Sequence, residues 1–392
     1  MAKQAVVVGL GFAGTVIARE LAQKGYSVLA FEKRGHIGGN MYEHVRPNGV
    51  RVHMYGPHIF HTDQRHVYEY LRRFTDFYPY SHRVLGRIEG RLVPIPFNLT
   101  SLRVLFPEKK ADAFISRVRA EFPDRDRVYV SELQGHSDPV IAEVGRFVFE
   151  KVFVNYTAKQ WGIPATDVDA SILRRVPVVL SDDDRYFSDE IQMMPMEGYT
   201  PIFEKMLDHP YIHILLGAKA SDHITLDRDS GRIFVDGVLF SGPVVYTGAI
   251  DELFSYSLGP LPYRSLDMVF EDLRTDFYQG AAVVNYPNEE SYTRITEFKH
   301  LTLQMLPEHT TILKEYPISY RPGSSLSPYY PIPGETNQLL YEKYVAIAKD
   351  YPNLYLCGRL AEYRYYNMDT VIDRALAVFS QIINNESGEK AE

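Results

Sequence analysis

Cysteine is nearly absent from this chain of 392 residues, Cys357 being alone. No disulfide can form within the chain, and a reducing compartment, the cytoplasm, is the expected setting. Tryptophan is as scarce, with Trp161 alone. No apolar run approaches the roughly 20 residues of a spanning helix, so no membrane span is expected. Positive charge is also short: 42 Lys+Arg stand against 50 Asp+Glu, a net −8. That balance offers no basic surface for nucleic acid, and an anionic ligand would have to be gripped by particular arginines. Nothing reads as a nucleophilic serine elbow or a kinase loop. His58 and His61 could begin a metal site, but further ligands at suitable spacing are missing, so no metal is expected.

What is present begins at once. Ala5-Val6-Val7-Val8 reads as a buried parallel strand leading into Gly9-Leu10-Gly11-Phe12-Ala13-Gly14. A helix follows, with Ala13, Ile17 and Leu21 on one face, and Gly25 closes it. The next strand, Ser27 to Phe31, ends at Glu32, at the spacing of a carboxylate that grips an adenosine ribose. The glycines let backbone N–H groups approach a pyrophosphate at the helix start. The order strand, Gly turn, helix, strand and acid argues against a signal peptide at Met1 to Ala18 and for a bound dinucleotide. A second turn, Gly35-His36-Ile37-Gly38-Gly39-Asn40, follows closely, as is more typical of FAD proteins than of NAD dehydrogenases. No second fingerprint appears later, since Val244 to Gly248 gives a strand and one glycine. FAD is the expected cofactor.

Along the chain, residues 63 to 78 look helical, and Arg83 to Pro94 reads as a hairpin about Glu89-Gly90. Helical patterns dominate from Ser101 to Lys159, including Ala111 to Phe122 and Pro139 to Phe153. Pro164 to Asp189 is Pro- and Asp-rich, and Ser181-Asp182-Asp183-Asp184 reads as an exposed, mobile loop. Strand-like runs extend from Leu266 to Ile318. The end rejoins the nucleotide unit through a helix at Gln338 to Lys349, a strand at 354 to 357, Gly358, and a helix from about Thr370 to Ile383. The tail from Asn384 looks frayed.

Two polar clusters are dense: Tyr55-Gly56-Pro57-His58-Ile59-Phe60-His61-Thr62 and Tyr156-Thr157-Ala158-Lys159-Gln160-Trp161-Gly162. In the second, Trp161 suits either a core position or a stacking platform for a sugar or base. Arg174, Arg175, Arg294 and Arg359 are each candidates for a diphosphate, whose oxygens match the planar fork of arginine. Tyrosine is abundant, with 29 residues, and clusters at Tyr363, Tyr365 and Tyr366. The residues alone describe a flavoprotein suited to a phosphorylated sugar and leave the reaction open.

GHIGGN at 35–40, YGPHIFHT at 55–62, YTAKQWG at 156–162, RYFSDE at 185–190, YTR at 292–294, KEYP at 314–317 and GRLAEYRYYNMD at 358–369 occur in order. Together they resemble bacterial UDP-galactopyranose mutase over nearly the whole chain. The resemblance implies an α/β fold: a discontinuous Rossmann-like FAD-binding domain (1–80, 191–255 and 335–385), a helical-bundle insertion (98–165), a twisted antiparallel sheet domain (81–97, 166–190 and 256–334) and a tail (386–392). It implies a cytoplasmic homodimer that contracts the ring of UDP-galactopyranose to UDP-galactofuranose without net redox, on FAD in its reduced form. In that family N5 of the reduced flavin displaces UDP from the anomeric carbon, the sugar ring opens and recloses, and UDP returns.

By the same resemblance, Arg175 and Arg294 clamp the diphosphate, with Arg175 on a mobile lid, and His61 and Arg359 lie beside flavin and sugar as further catalytic residues. Cofactor binding falls to Gly9, Gly11, Phe12, Ala13, Gly14, Glu32, Lys33, Gly38, Gly39, Asn40, His58, Ile59, Gly358, Arg359 and Met368. Tyr186, Tyr316 and Tyr365 bond phosphate oxygens and Tyr156 stacks on uracil. Trp161 borders the sugar, and Thr157, Asn285 and Asn367 complete the substrate site. Asn367 replaces a frequent aspartate, and Val154-Asn155 replaces a frequent lysine–glycine beside the base site. These departures leave open a mutase for another nucleotide sugar (UDP-N-acetylgalactosamine, or a GDP- or TDP-hexose). A flavin oxidoreductase and a non-catalytic flavin scaffold are the remaining alternatives.

Overall fold

The computed structural model describes residues 3–161, 176–324 and 326–387. At its centre five parallel strands lie in the order Ile212–Leu216, Ser27–Glu32, Gln4–Val8, Val244–Tyr246, Leu354–Leu356. The apolar run after Gln4 forms the middle strand because both of its faces are covered. Ala5 and Val7 face a core shared with the helices Phe12–Gln23 and Met368–Ser387, whereas Val6 and Val8 face a second core containing Tyr344 and Ala348 of the helix Glu335–Ala348. From the middle strand the chain passes to Ser27–Glu32 on one side and much later returns through Val244–Tyr246 on the other. Such a switch point opens a crevice at the carboxyl ends of the strands.

A second sheet holds seven strands in the order Tyr330–Pro331, Tyr263–Leu273, Thr310–Ser319, Arg294–Glu297, Val283–Asn285, Val84–Ile88, Arg91–Ile95. Its pairings are antiparallel except that Val84–Ile88 runs parallel to Val283–Asn285. The expected hairpin supplies the last two strands, turning at Glu89 and Gly90, both at positive φ. Helices Leu99–Leu105, Glu108–Glu121, Val130–Gln134 and Pro139–Val148 follow. Asn98 and Ser101 cap the first reciprocally, and the Asp138 carboxylate accepts from the amides of Val140 and Ile141 at the start of the last. A π-helical stretch, Phe149–Val154, then leads into Asn155–Trp161.

Several local expectations are corrected. The helix expected over 63 to 78 is Arg65–Leu71; Phe77–Pro79 is instead a strand paired with Met193–Pro195, and Phe60–Thr62 pairs on the other side. Strands of three residues carry too little alternation to be read from sequence. The Asp-rich run is not free. Arg103 binds Asp182 at 2.6 Å, Asn98 donates to the carbonyl of Asp183 at 2.9 Å, and Arg185 is paired with Asp183. The chain also stays ordered past Asn384: Asn385 donates to the Tyr355 hydroxyl and Glu386 pairs with Lys3, both within the helix ending at Ser387.

Candidate functional site

A cavity of about 880 Å³ runs from the crevice of the parallel sheet to the face of the seven-stranded sheet. At its nucleotide end the two Gly turns touch. Gly38 and Gly39 both have positive φ, and a Cβ on Gly39 would lie 2.8 Å from Gly11 Cα. A Cβ on Gly14 would lie 1.9 Å from the Gly9 carbonyl oxygen, so the third glycine lets the helix pack on the turn and does not line the cavity. Gly11 differs. An added Cβ there meets nothing closer than Gly39 Cα at 3.7 Å, and its open side is the cavity. Phe12, Ala13, Lys33 and Asn40 line the same end.

Glu32, only 5% exposed, accepts from the amide N–H groups of Leu10 (2.8 Å) and Arg34 (2.9 Å). It thereby ties the two turns together as well as facing the cavity. The last helix adds its amino end: Met368 and Val371 line the cavity, and the Asn367 carbonyl accepts the N–H of Val371. The positive end of a long helix dipole thus faces the ligand space. Gly358, at φ 104°, brings the strand Leu354–Leu356 to the same place, and Arg359 follows. The Arg359 guanidinium donates to the carbonyls of Tyr329 (3.2 Å) and Tyr366 (2.7 Å) and lies over the rings of Tyr330 and Tyr365. Carbonyl anchors and aromatic faces hold it in one orientation.

Histidines dominate the middle of the cavity. His58, in the segment before Phe60–Thr62, donates its backbone N–H to His53 Nδ1 at 3.0 Å, and His53 Nε2 lies 3.3 Å from the Glu43 carboxylate. Burial, then the charges of His53, Arg359 and Arg294, hold the His58 imidazole far below its ordinary pKa, so it is neutral. His61 stacks on Phe187 with ring centres 3.6 Å apart, and its Nδ1 is 3.0 Å from Asp189. His82 also lines the wall, its pKa lowered to about 3 by burial and by Arg294 and His61.

At the sheet end, register places Asn285, Arg294 and Glu315 in one cross-strand row. Arg294 Nε donates to Glu315 Oε1 at 2.6 Å, and Glu315 is 1% exposed. Burial alone would lower the arginine's pKa; the Glu315 carboxylate outweighs it and fixes the positive charge. Tyr156 comes from the helix behind the π-helical stretch, and the Lys159 ammonium on that helix donates to the carbonyls of Tyr286, Glu290 and Tyr292. The helix is thereby strapped to the loop that joins the strands carrying Asn285 and Arg294. Tyr186 (40% exposed) and Tyr365 (66% exposed) both line the cavity, and Tyr330 stacks on Tyr365 at 5.7 Å.

The fold therefore gathers on one cavity every residue expected to bind the cofactor except Gly14, together with Tyr156, Tyr186, Asn285, Arg294, Arg359, Tyr365, Asn367 and His61. Two expected substrate residues stand apart. Tyr316 follows Glu315 on the strand, and alternation turns it to the other face, where it meets Tyr292 at 5.8 Å; Thr157 is likewise not in the lining. Arg174, Arg175 and the side chain of Trp161 lie outside the described residues. No sequence signal marked residues 218–221, 224–226 and 252–255 at the nucleotide end, nor His82 and Tyr330 at the other. Those segments carry no fingerprint and arrive only through sheet packing. A lone histidine such as His82 gives no signal by spacing. No group of three or more potential metal ligands exists among the described residues. None of their helices is long and apolar enough to cross a membrane.

Comparison with known proteins agrees with this geometry. The family model described as UDP-galactopyranose mutase matches residues 151–365, and an NAD(P)-binding Rossmann-like domain model matches 7–74. The chain is 35% identical over 384 residues to the UDP-galactopyranose mutase of Mycoplasma pneumoniae, covering 96% of each chain. It is 34% identical over 385 residues to the dTDP-fucopyranose mutase of Escherichia coli, covering 97% of this chain and 98% of that one. A crystal structure of reduced UDP-galactopyranose mutase superposes with TM-score 0.72 at 17% identity, over 100% of this chain and 97% of that one, which shows a shared fold.

Proposed function

This chain belongs to the UDP-galactopyranose mutase family, and on that premise we propose that it interconverts UDP-galactopyranose and UDP-galactofuranose on FAD held in the reduced state. One observation carries the reading: a single cavity joins a dinucleotide cradle to a sheet face where a buried glutamate fixes an arginine. The cradle fits a flavin dinucleotide. Its glycines clear space for a pyrophosphate, the amino end of the last helix faces that space, and neutral His58 and Arg359 line the same cavity. The units proposed from the sequence, with FAD on 1–80, 191–255 and 335–385, assign the two ends of the cavity accordingly.

When bound, the reduced flavin would supply an electron-rich nitrogen, N5, as nucleophile toward the anomeric carbon. The protein's part is electrostatic and positional. With Nε of Arg294 engaged by Glu315, its Nη groups remain to donate to the diphosphate and to stabilise charge as UDP departs. Arg175, carried over by motif, would add a second donor. Tyr186 and Tyr365 offer neutral hydroxyls, and Tyr156 offers a face for the base. Closing the site around these groups would keep UDP near the sugar for its return and exclude water.

The homodimer expected from the resemblance and the cytoplasmic location expected from the single cysteine belong to the same proposal. A second nucleotide sugar is supported by one finding, the 34% identity to a dTDP-fucopyranose mutase beside 35% to a UDP-galactopyranose mutase. Dithionite-reduced holoprotein given UDP-galactofuranose should yield UDP-galactopyranose by chromatography. A parallel panel of UDP- and dTDP-sugars would reassign the substrate if a dTDP-sugar turned over faster. Absence of any pyranose product with FAD bound and reduced would overturn the reading.

A further inference from the structure

The His61 ring is gripped on two sides by residues of the segment 186–190, most of which is otherwise exposed. One face stacks on Phe187, with ring centres 3.6 Å apart and planes 14° from parallel. At the ring's edge, Nδ1 is sealed from solvent and lies 3.0 Å from Asp189 Oδ2, an ion-pair approach rather than a linear hydrogen bond. Nε2 is neither sealed nor bonded to any described residue, so it is the nitrogen open to the cavity that His61 lines. The carboxylate assigns the ring proton. Two lone pairs at 3.0 Å would repel, so Nδ1 carries the hydrogen and, in the neutral ring, Nε2 is left as an acceptor.

The segment is built to keep that grip. Gln192 stands opposite His61 across the antiparallel strands, so their side chains share a face. Its Nε2 donates to the carbonyls of Phe187 (3.1 Å) and Asp189 (3.0 Å). The Tyr186 N–H donates to the His82 carbonyl at 2.8 Å, and the Glu190 N–H to the Asp63 carboxylate at 2.8 Å. Both ends and the middle of the segment are therefore tied. Stability is a poor reason for so much tethering. The Asp189 side chain is 22% exposed, and a pair so near solvent contributes only about 0–1 kcal/mol. Orientation is a better reason, because a carboxylate on one ring nitrogen sets the tautomer, and hence what the other nitrogen presents.

We propose that Asp189 is a positioning residue: with Phe187 it fixes the His61 imidazole so that Nε2 is presented to the ligand cavity as a hydrogen-bond acceptor. Without the carboxylate the ring is free to carry its proton on Nε2, which reverses the polarity of that contact. The consequence for turnover rests on the mutase reading above, whereas the tautomer does not.

The tautomer is read from long-range ¹H–¹⁵N spectra of ¹⁵N-histidine-labelled, oxidised holoprotein at about pH 9, well above the ordinary imidazole range. The His61 signal is the one lost in His61→Gln. The parent should show a proton on Nδ1 and none on Nε2. Asp189→Leu should show the Nε2–H form that an unrestrained histidine favours. Asp189→Asn, whose amide oxygen still accepts, should keep the parent form. On reduced holoprotein, Asp189→Leu should lower kcat for UDP-galactofuranose at least ~10-fold with KM near the parent value, and Asp189→Asn should recover most of the loss. Flavin content and melting temperature check that each variant is folded, and Asp189→Ala replaces the leucine variant if that one is not. A parent with its proton on Nε2, or on both nitrogens, overturns the assignment, as does a parent tautomer that survives in Asp189→Leu. An unchanged kcat in Asp189→Leu overturns the positioning role. A parent without turnover overturns the mutase reading alone, since the spectra still decide the tautomer.

Discussion

Replacing Gly11 by valine should empty the nucleotide site while leaving the chain folded, whereas Gly14→Ala should do the reverse damage. At Gly11 the backbone has φ −77° and ψ −173°, an extended conformation that a β-branched residue adopts readily. An added Cβ there finds its nearest neighbour at 3.7 Å, so the protein itself has room. The expected change in stability of the ligand-free protein is within about ±0.5 kcal/mol. The two γ-methyl groups, however, project toward the space that a pyrophosphate would fill. Displacing two charge-assisted N–H bonds worth roughly 1.5–3 kcal/mol each weakens FAD by ~10²–10⁴-fold. At Gly14, a Cβ 1.9 Å from the Gly9 carbonyl oxygen and 3.0 Å from Val7 Cγ1 forces helix and turn apart. That should destabilise the fold by about 3 kcal/mol, the upper end for overpacking. Flavin absorbance of purified protein and thermal melts with and without added FAD separate the cases. The parent should melt higher with excess FAD, by ~4 kcal/mol of linkage at a thousandfold over Kd, and Gly11→Val should not respond. Stoichiometric flavin on Gly11→Val, or an unfolded apoprotein, would show that Gly11 does not open onto the pyrophosphate space.

Arg294→Ala should lower kcat by ~10²–10³ with FAD retained, since one charge-stabilising donor commonly carries that much; Arg175→Ala should do likewise, and near-normal turnover in either variant would remove that residue from the clamp. Lys159→Met should raise KM several-fold at constant flavin content, because three carbonyls that its ammonium holds between the Tyr156 helix and the 286–292 loop lose their donor; an unchanged KM would show that the strap does not position substrate. Fully buried Glu297 should govern an acid-side stability change. Burial acts to raise its pKa, but donors from His300, Thr310, Tyr278 and Gln279 outweigh it and leave the carboxyl below its usual value. His300 is raised: burial acts to lower its pKa, and Glu297 and the Gln279 carbonyl overcome that. The carboxylate therefore stabilises above its ordinary pKa of about 4.3 and fades as pH falls through the lowered folded value. The imidazolium stabilises below about 6.5 and fades as pH rises through its raised value. The difference in melting temperature between the parent and Glu297→Gln should be widest between those limits; a gap independent of pH would contradict it.

How much of this was legible beforehand depends on whether a feature is local. The strand, Gly turn, helix and Glu32 could be read because an apolar run, glycine spacing and an acid lie within about thirty residues of one another. Sequence does not reveal that Glu32 also accepts the Leu10 amide, 22 residues back, since that bond exists only once the first turn meets the end of the second strand. The alternation that turns Tyr316 away from Arg294 is legible in principle, but only after Glu315 is known to face inward. Residues 218–221, 224–226 and 252–255 reach the cavity through packing of distant segments, and no pattern marks them. The Asp-rich run is exposed, as its charge signals, but its anchoring is not legible, because one arginine partner lies 79 residues back at Arg103 and another two ahead at Arg185.

On the proposed mechanism a reduced flavin seated on the glycine cradle would supply the nucleophile while cationic side chains catch the departing diphosphate. Quenching a turning-over mixture of reduced holoprotein and UDP-galactopyranose with cyanoborohydride, then weighing the extracted flavin by mass spectrometry, tests it directly. The expected result is a flavin heavier by one hexosyl unit, formed only when the cofactor has been reduced. Unmodified flavin from a mixture that is making product, or equal turnover with the oxidised cofactor, would contradict it.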